Sequence, residues 1–188
     1  MSDKKKEITV CGRLIFDLSG MDPKFRQSSK FAALEIANAG AGLFEVVFKA
    51  AMSGKGNDAE RCAEACARAA GLNPMLAENA SSRIIDSLLK CQNSRLKYFL
   101  SVMLINVKVP KAKAAKCAAV ILKWLKAETG KGPKAAFLEA IAYLALTDEK
   151  LKPLASRMLD DALKSPVASY SARARQIIMY GKRRSNGV

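Results

Sequence analysis

Pro110-Lys-Ala-Lys-Ala-Ala-Lys-Cys-Ala-Ala-Val-Ile-Leu-Lys-Trp-Leu-Lys-Ala-Glu128 decides how this chain is read. Proline at the start of a helix costs nothing, because the N–H it lacks would have no partner in the first turn. At about 100° per residue, Cys117, Ile121, Trp124 and Leu125 gather on one side, whereas Lys113, Lys116, Lys123 and Lys126 fall within about 140° of one another on the other. The stretch therefore predicts an amphipathic helix with an apolar inner side and a lysine ridge outside.

The same grammar extends in both directions. Toward the N-terminus, Asn93 or Ser94 starts a helix, Asn73-Pro74 another that carries Leu76, Ala80, Ile84, Ile85, Leu88 and Cys91 on one side, and Asn57 or Asp58 one that ends before Gly71. Leu43 to Met52 is apolar, and Asp22-Pro23 opens a helix to about Asn38. Toward the C-terminus, Pro133 opens a helix to Leu146, Pro153 marks the next, and Ser165-Pro166 starts the last, to Tyr180 before Gly181. Helix pairs thus recur at intervals of about 33 to 39 residues, as in stacked hairpins. The first-helix aromatic pattern of a tetratricopeptide repeat is absent, and an antiparallel bundle with short loops accommodates the same spacing.

The fold expectation is accordingly all-α, either a compact antiparallel helical bundle or a short stack of helical hairpins, with seven to nine helices. Residues 1–21 read as an N-terminal arm or extended segment around Ile8 to Phe16, 22–181 as a single helical domain, and 182–188 as a basic disordered tail. Leu96 to Val107 and Ala135 to Leu146 are apolar nearly all round, which puts them inside with other helices wrapped about them. Ala59, Cys62, Ala63, Cys66 and Ala70 form a stripe of small side chains that lets a neighbour approach closely.

Half of the 188 residues are apolar and only 6% aromatic, a composition that packs a core from Ala, Leu and Ile without disulfides or metal. Five cysteines, Cys11, Cys62, Cys66, Cys91 and Cys117, are an odd number without secretory context, which suggests reduced thiols and a cytoplasmic location. The most apolar run, Tyr98 to Val107, is about half of the ~20 residues a membrane-spanning helix needs, so no membrane partner is expected.

Histidine is absent, which removes the commonest general base and the commonest metal ligand together. Cys62 and Cys66 share a helical face, but two thiols are half of a zinc site, and no metal is expected. Ser53-Gly-Lys-Gly-Asn57 and Thr129-Gly-Lys-Gly-Pro133 place a lysine between glycines beside a helix start; neither has P-loop spacing, so both read as loops whose backbone N–H groups could still touch a phosphate. The acidic pairs Asp148 with Glu149 and Asp160 with Asp161 flank an amphipathic stripe and read as solvated. No catalytic residue or cofactor can be named, and the chain reads as a non-enzyme.

Charge placement is the feature that points to a function. The formal net charge is +15. Lys108, Lys111, Lys113, Lys116, Lys123, Lys126, Lys131 and Lys134 face one acid, Glu128, and Arg173, Arg175, Lys182, Arg183 and Arg184 face none in the last sixteen residues. Such concentration attracts polyanions, phosphates foremost. The expected partner is nucleic acid, DNA or RNA without sequence specificity, met through these two clusters on a shared surface, with an accessory role in a nucleoprotein complex as one setting. The alternative is a helical-repeat-like adaptor that receives an acidic protein. Trp124, at the edge of the ridge, reads as core before it reads as a base-stacking platform. A homo-oligomer through the N-terminal segment stays open.

Overall fold

Ala-rich sequence with proline and asparagine at the joints gives ten α-helices and one short 3-10 turn in the computed structural model, which describes residues 26–185, with side chains for 29–179. They are α1 (Arg26–Ala39), α2 (Ala41–Ser53), α3 (Gly56–Leu72), α4 (Pro74–Asn79), α5 (Ser81–Lys90), α6 (Ser94–Leu104), α7 (Lys111–Ala127), α8 (Lys131–Thr147), α9 (Lys152–Leu163) and α10 (Ala168–Ser185), with the 3-10 turn at Glu149–Leu151. The all-α expectation holds, with one helix more than the upper bound. The extra helix arises because the segment opened by Pro74 breaks at Ala80, whose backbone (φ −96°, ψ 12°) leaves the helical region and separates α4 from α5. The arm expected over 1–21 lies outside the described residues, as does residue 186 onward.

Joints behave as their chemistry dictates. The Asn93 side chain accepts the Arg95 N–H at 3.0 Å and caps α6, Pro74 sits in the first turn of α4, and Pro153 in that of α9. The tight link from α1 to α2 passes through Gly40 at φ +88°, a left-handed conformation that favours glycine. Gly71 and Gly181, read in sequence as stops, lie inside α3 and α10, which run on to Leu72 and Ser185.

Helices α1–α6 make one compact unit, closing at Lys108, and α7–α10 a second, beginning at Val109. In the first, α3 is the hub and packs on α1, α2, α4 and α6. It can do so because the small residues expected as one stripe continue around the helix: Ala59, Cys62, Ala63, Ala65, Cys66, Ala67, Ala69 and Ala70 are all buried. Large side chains from the surrounding helices, among them Ile36, Phe44, Val47, Leu100 and Met103, fill the space that these small ones leave. Each large apolar side chain so buried contributes about 1.5–3 kcal/mol. Helix α6, expected at the centre, packs instead on α3 and α5. Ion pairs brace the outside, Arg95 to Glu60 at 2.7 Å and Arg83 to Glu45 at 2.9 Å.

In the second unit α8 is central as expected, with Ala136, Phe137, Leu138, Ala140, Ile141, Leu144 and Ala145 buried and α7, α9 and α10 packed on it. Leu138 meets Ala162 of α9 and Ala174 of α10, with Met158, Leu159, Tyr170 and Ile177 around them. Within each unit the helices gather about one central helix, which is the arrangement of a bundle; stacked hairpins would give each helix only its neighbours along the chain. No helix among the described residues is long and apolar enough to cross a membrane.

Candidate nucleic-acid interface

Helix α7 divides as its sequence dictates. Ala114, Cys117, Ala118, Ile121 and Trp124 are buried, and within its unit the helix packs chiefly on α8. The Trp124 ring lies 5.9 Å from that of Phe137, a tilted aromatic contact that fixes the inner side of α7 against α8. Trp124 is only 8% exposed, so it serves the core and is not presented to a base.

The opposite side is open. Lys111, Lys116, Lys123 and Lys126 are exposed, and Lys113, next to the buried edge, is half-buried. Beyond the helix, Lys131 is exposed and Lys134 half-buried, both in the first turn of α8. The single acid of the stretch is engaged with its own loop: the Glu128 carboxylate accepts the N–H groups of Thr129 at 2.9 Å and Gly130 at 2.7 Å. That closes the loop between α7 and α8 and also occupies two of the backbone donors that the Gly-Lys-Gly motif would have offered to a phosphate.

Lys111, at the start of α7, acts electrostatically on Glu149 of the 3-10 turn. The hydrogen bond and charge of Lys152 hold the Glu149 carboxyl below its ordinary value, and the charge of Lys111 adds to that effect. Lys152 meets Glu149 at 2.7 Å, and Lys150 beside it is exposed. Sequence reasoning did not connect Glu149 with Lys111, because the two lie far apart in the chain and no local pattern relates them.

Lys108 closes the first unit; its side chain is exposed and its backbone N–H donates to Glu78 at 2.5 Å. Of the second basic cluster, expected on a shared surface with the first, the side chains of Arg173 and Arg175 are described. Arg173 of α10 pairs with Glu139 of α8 at 2.7 Å and donates to Gln176, which neutralises its charge within the fold. Arg175 is exposed and donates to the Ser171 hydroxyl. Phe137, which receives Trp124, and Glu139, which receives Arg173, are two residues apart on α8, and therefore about 160° apart around its axis. The α7 ridge and Arg173 thus flank α8 on nearly opposite sides; they do not converge. Lys182, Arg183 and Arg184 have helical backbone, and their side chains lie outside the described ones.

The remaining sequence candidates resolve into structural roles. Cys62 and Cys66 are buried on α3, and the Cys66 thiol lies 3.9 Å from the Phe44 carbonyl oxygen, to which it donates. No group of three metal-ligating side chains occurs among the described residues. Asp148 is buried and caps the 3-10 turn by accepting the Lys150 N–H, while Asp160 and Asp161 are exposed. In the first unit a cleft of about 760 Å³ is lined by Phe48, Met52, Arg83, Cys91 and Leu96, with the Glu45 to Arg83 pair at its margin. Its lining comes from separate helices, so no local motif could announce it. Comparisons with family models, with curated proteins and with solved structures return no match.

Proposed function

We propose that the protein is a non-catalytic nucleic-acid-binding protein that holds backbone phosphates on the outer face of α7. The observation that carries this reading is the exposure of Lys111, Lys116, Lys123 and Lys126 along one helix face while the only acid of the stretch, Glu128, is engaged with its own loop. Cations so arranged gain from the release of counterions that phosphates otherwise condense. Lys131 at the end of the ridge extends the same field, and Arg173, already paired with Glu139, adds little to it. A reducing compartment such as the cytoplasm suits the described cysteines, Cys62, Cys66, Cys91 and Cys117, none of which is in a disulfide.

The test is charge reversal on a face that does not touch the core. K116E/K123E/K126E should keep the helical circular dichroism of the parent and lower its affinity for a mixed-sequence oligonucleotide at least tenfold, about 1.4 kcal/mol. Unchanged affinity in the folded triple variant overturns the reading.

A further inference from the structure

Between the lysines of α7 the outer face is nearly featureless. Ala112, Ala115 and Ala119 are all exposed and follow one another at three- and four-residue intervals, so they form a strip along the helix. Lys111 flanks that strip on one side, Lys116 and Lys123 flank it on the other, and Lys126 lies beyond its C-terminal end. A bare helix is thus presented outward with cations along both flanks.

The geometry points to a B-form DNA duplex as the ligand of this face, with α7 lying in the major groove; this rests on the nucleic-acid reading above. A helix with its side chains is about 10–12 Å across, and the major groove of B-DNA is about 12 Å wide and 8.5 Å deep, with a phosphate backbone along each wall. Alanine methyls let the helix approach the groove floor, and lysines on both flanks reach both walls. A single strand offers one line of phosphates and is held by aromatic stacking, and the one aromatic residue of α7, Trp124, is buried against Phe137. The major groove of an A-form RNA duplex is deep and too narrow for side chains to read, so it does not admit this helix. Alanines carry no side-chain hydrogen-bonding group, so binding is indifferent to base sequence apart from contact with thymine methyls.

The experiment compares three labelled probes of one mixed sequence, a 20-base-pair DNA duplex, the corresponding RNA duplex and the DNA single strand, by fluorescence anisotropy on the full chain at one ionic strength. The DNA duplex should bind at least tenfold more tightly than either other probe. A115M/A119M, which adds bulk at exposed positions with little change in helix propensity, should weaken the duplex complex about tenfold and leave the single-strand affinity as it was. Equal affinity for all three probes, or tighter binding of the RNA duplex, overturns groove entry. So does a folded A115M/A119M variant that binds the duplex like the parent. In those cases, K116E/K123E/K126E still abolishing binding would leave the phosphate-binding reading standing, whereas failure of every probe to bind would remove both.

Discussion

Burial sets the chemistry of the thiols on α3. The Cys62 thiol is pushed up to about 11 from its ordinary 9.0, first by burial and then by the Asp58 charge, and the Cys66 thiol is raised well above 9.0 by burial and by Cys62 beside it. The linkage has a definite sign: the stabilising contribution is complete below pH 9, where thiols are neutral in both states. It is lost as pH rises through about 11, because the unfolded thiols ionise and the folded ones resist. Urea midpoints should therefore fall between pH 8 and pH 10.5, and C62A/C66A, although less stable at pH 8 by about 1 kcal/mol per sulfur removed, should show a shallower fall. Equal slopes in the two proteins would contradict it. The sequence was informative about such residues. Cysteine without histidine partners and a lone tryptophan on an amphipathic helix read as core, and Cys62, Cys66 and Trp124 are buried. Arg173 was not legible in this way, because Glu139 lies 34 positions earlier and only packing brings the two together.

Among the helices, small residues do what large ones cannot. Ala63 is fully buried on α3, the hub of the first unit. Ala63→Leu should cost about 1–3 kcal/mol in urea unfolding, since added methylenes have no space to occupy, and Ala119→Leu, on the open face of α7, should cost only a few tenths. Matching losses at the two positions would mean that α3 is not the packed centre. The stripe from Ala59 to Ala70 was visible in sequence, but its extent around the helix was not, because alanine suits a surface as readily as a core. For the same reason the more obviously apolar α6 seemed central. Punctuation was legible at Asn93, Pro110 and Pro153, where side chain or ring acts on its own turn. It misled at Gly71 and Gly181, since glycine weakens a helix without ending it and the continuing backbone hydrogen bonds decide.

For the molecule as a whole, the surface charge comes from parts that differ in availability. Periodicity gives the phase of a side chain on its own helix, so the α7 ridge could be read from sequence; it does not give the neighbour against which that helix packs, so the opposed placement of the ridge and Arg173 across α8 could not. The same limit hid the influence of the Lys111 charge on Glu149 and the cleft beside Arg83. What distinguishes a working phosphate surface from charge that only aids solubility is the number of counterions released on binding. The most direct measurement is the slope of log affinity against log salt for the full chain on a DNA duplex. The four exposed lysines of α7 predict a slope of about −3.6, reduced by about 0.9 in K123Q and unaltered in R173Q, because Glu139 already holds that arginine. A slope near zero, or one that R173Q changes and K123Q does not, would contradict a phosphate-binding role for α7.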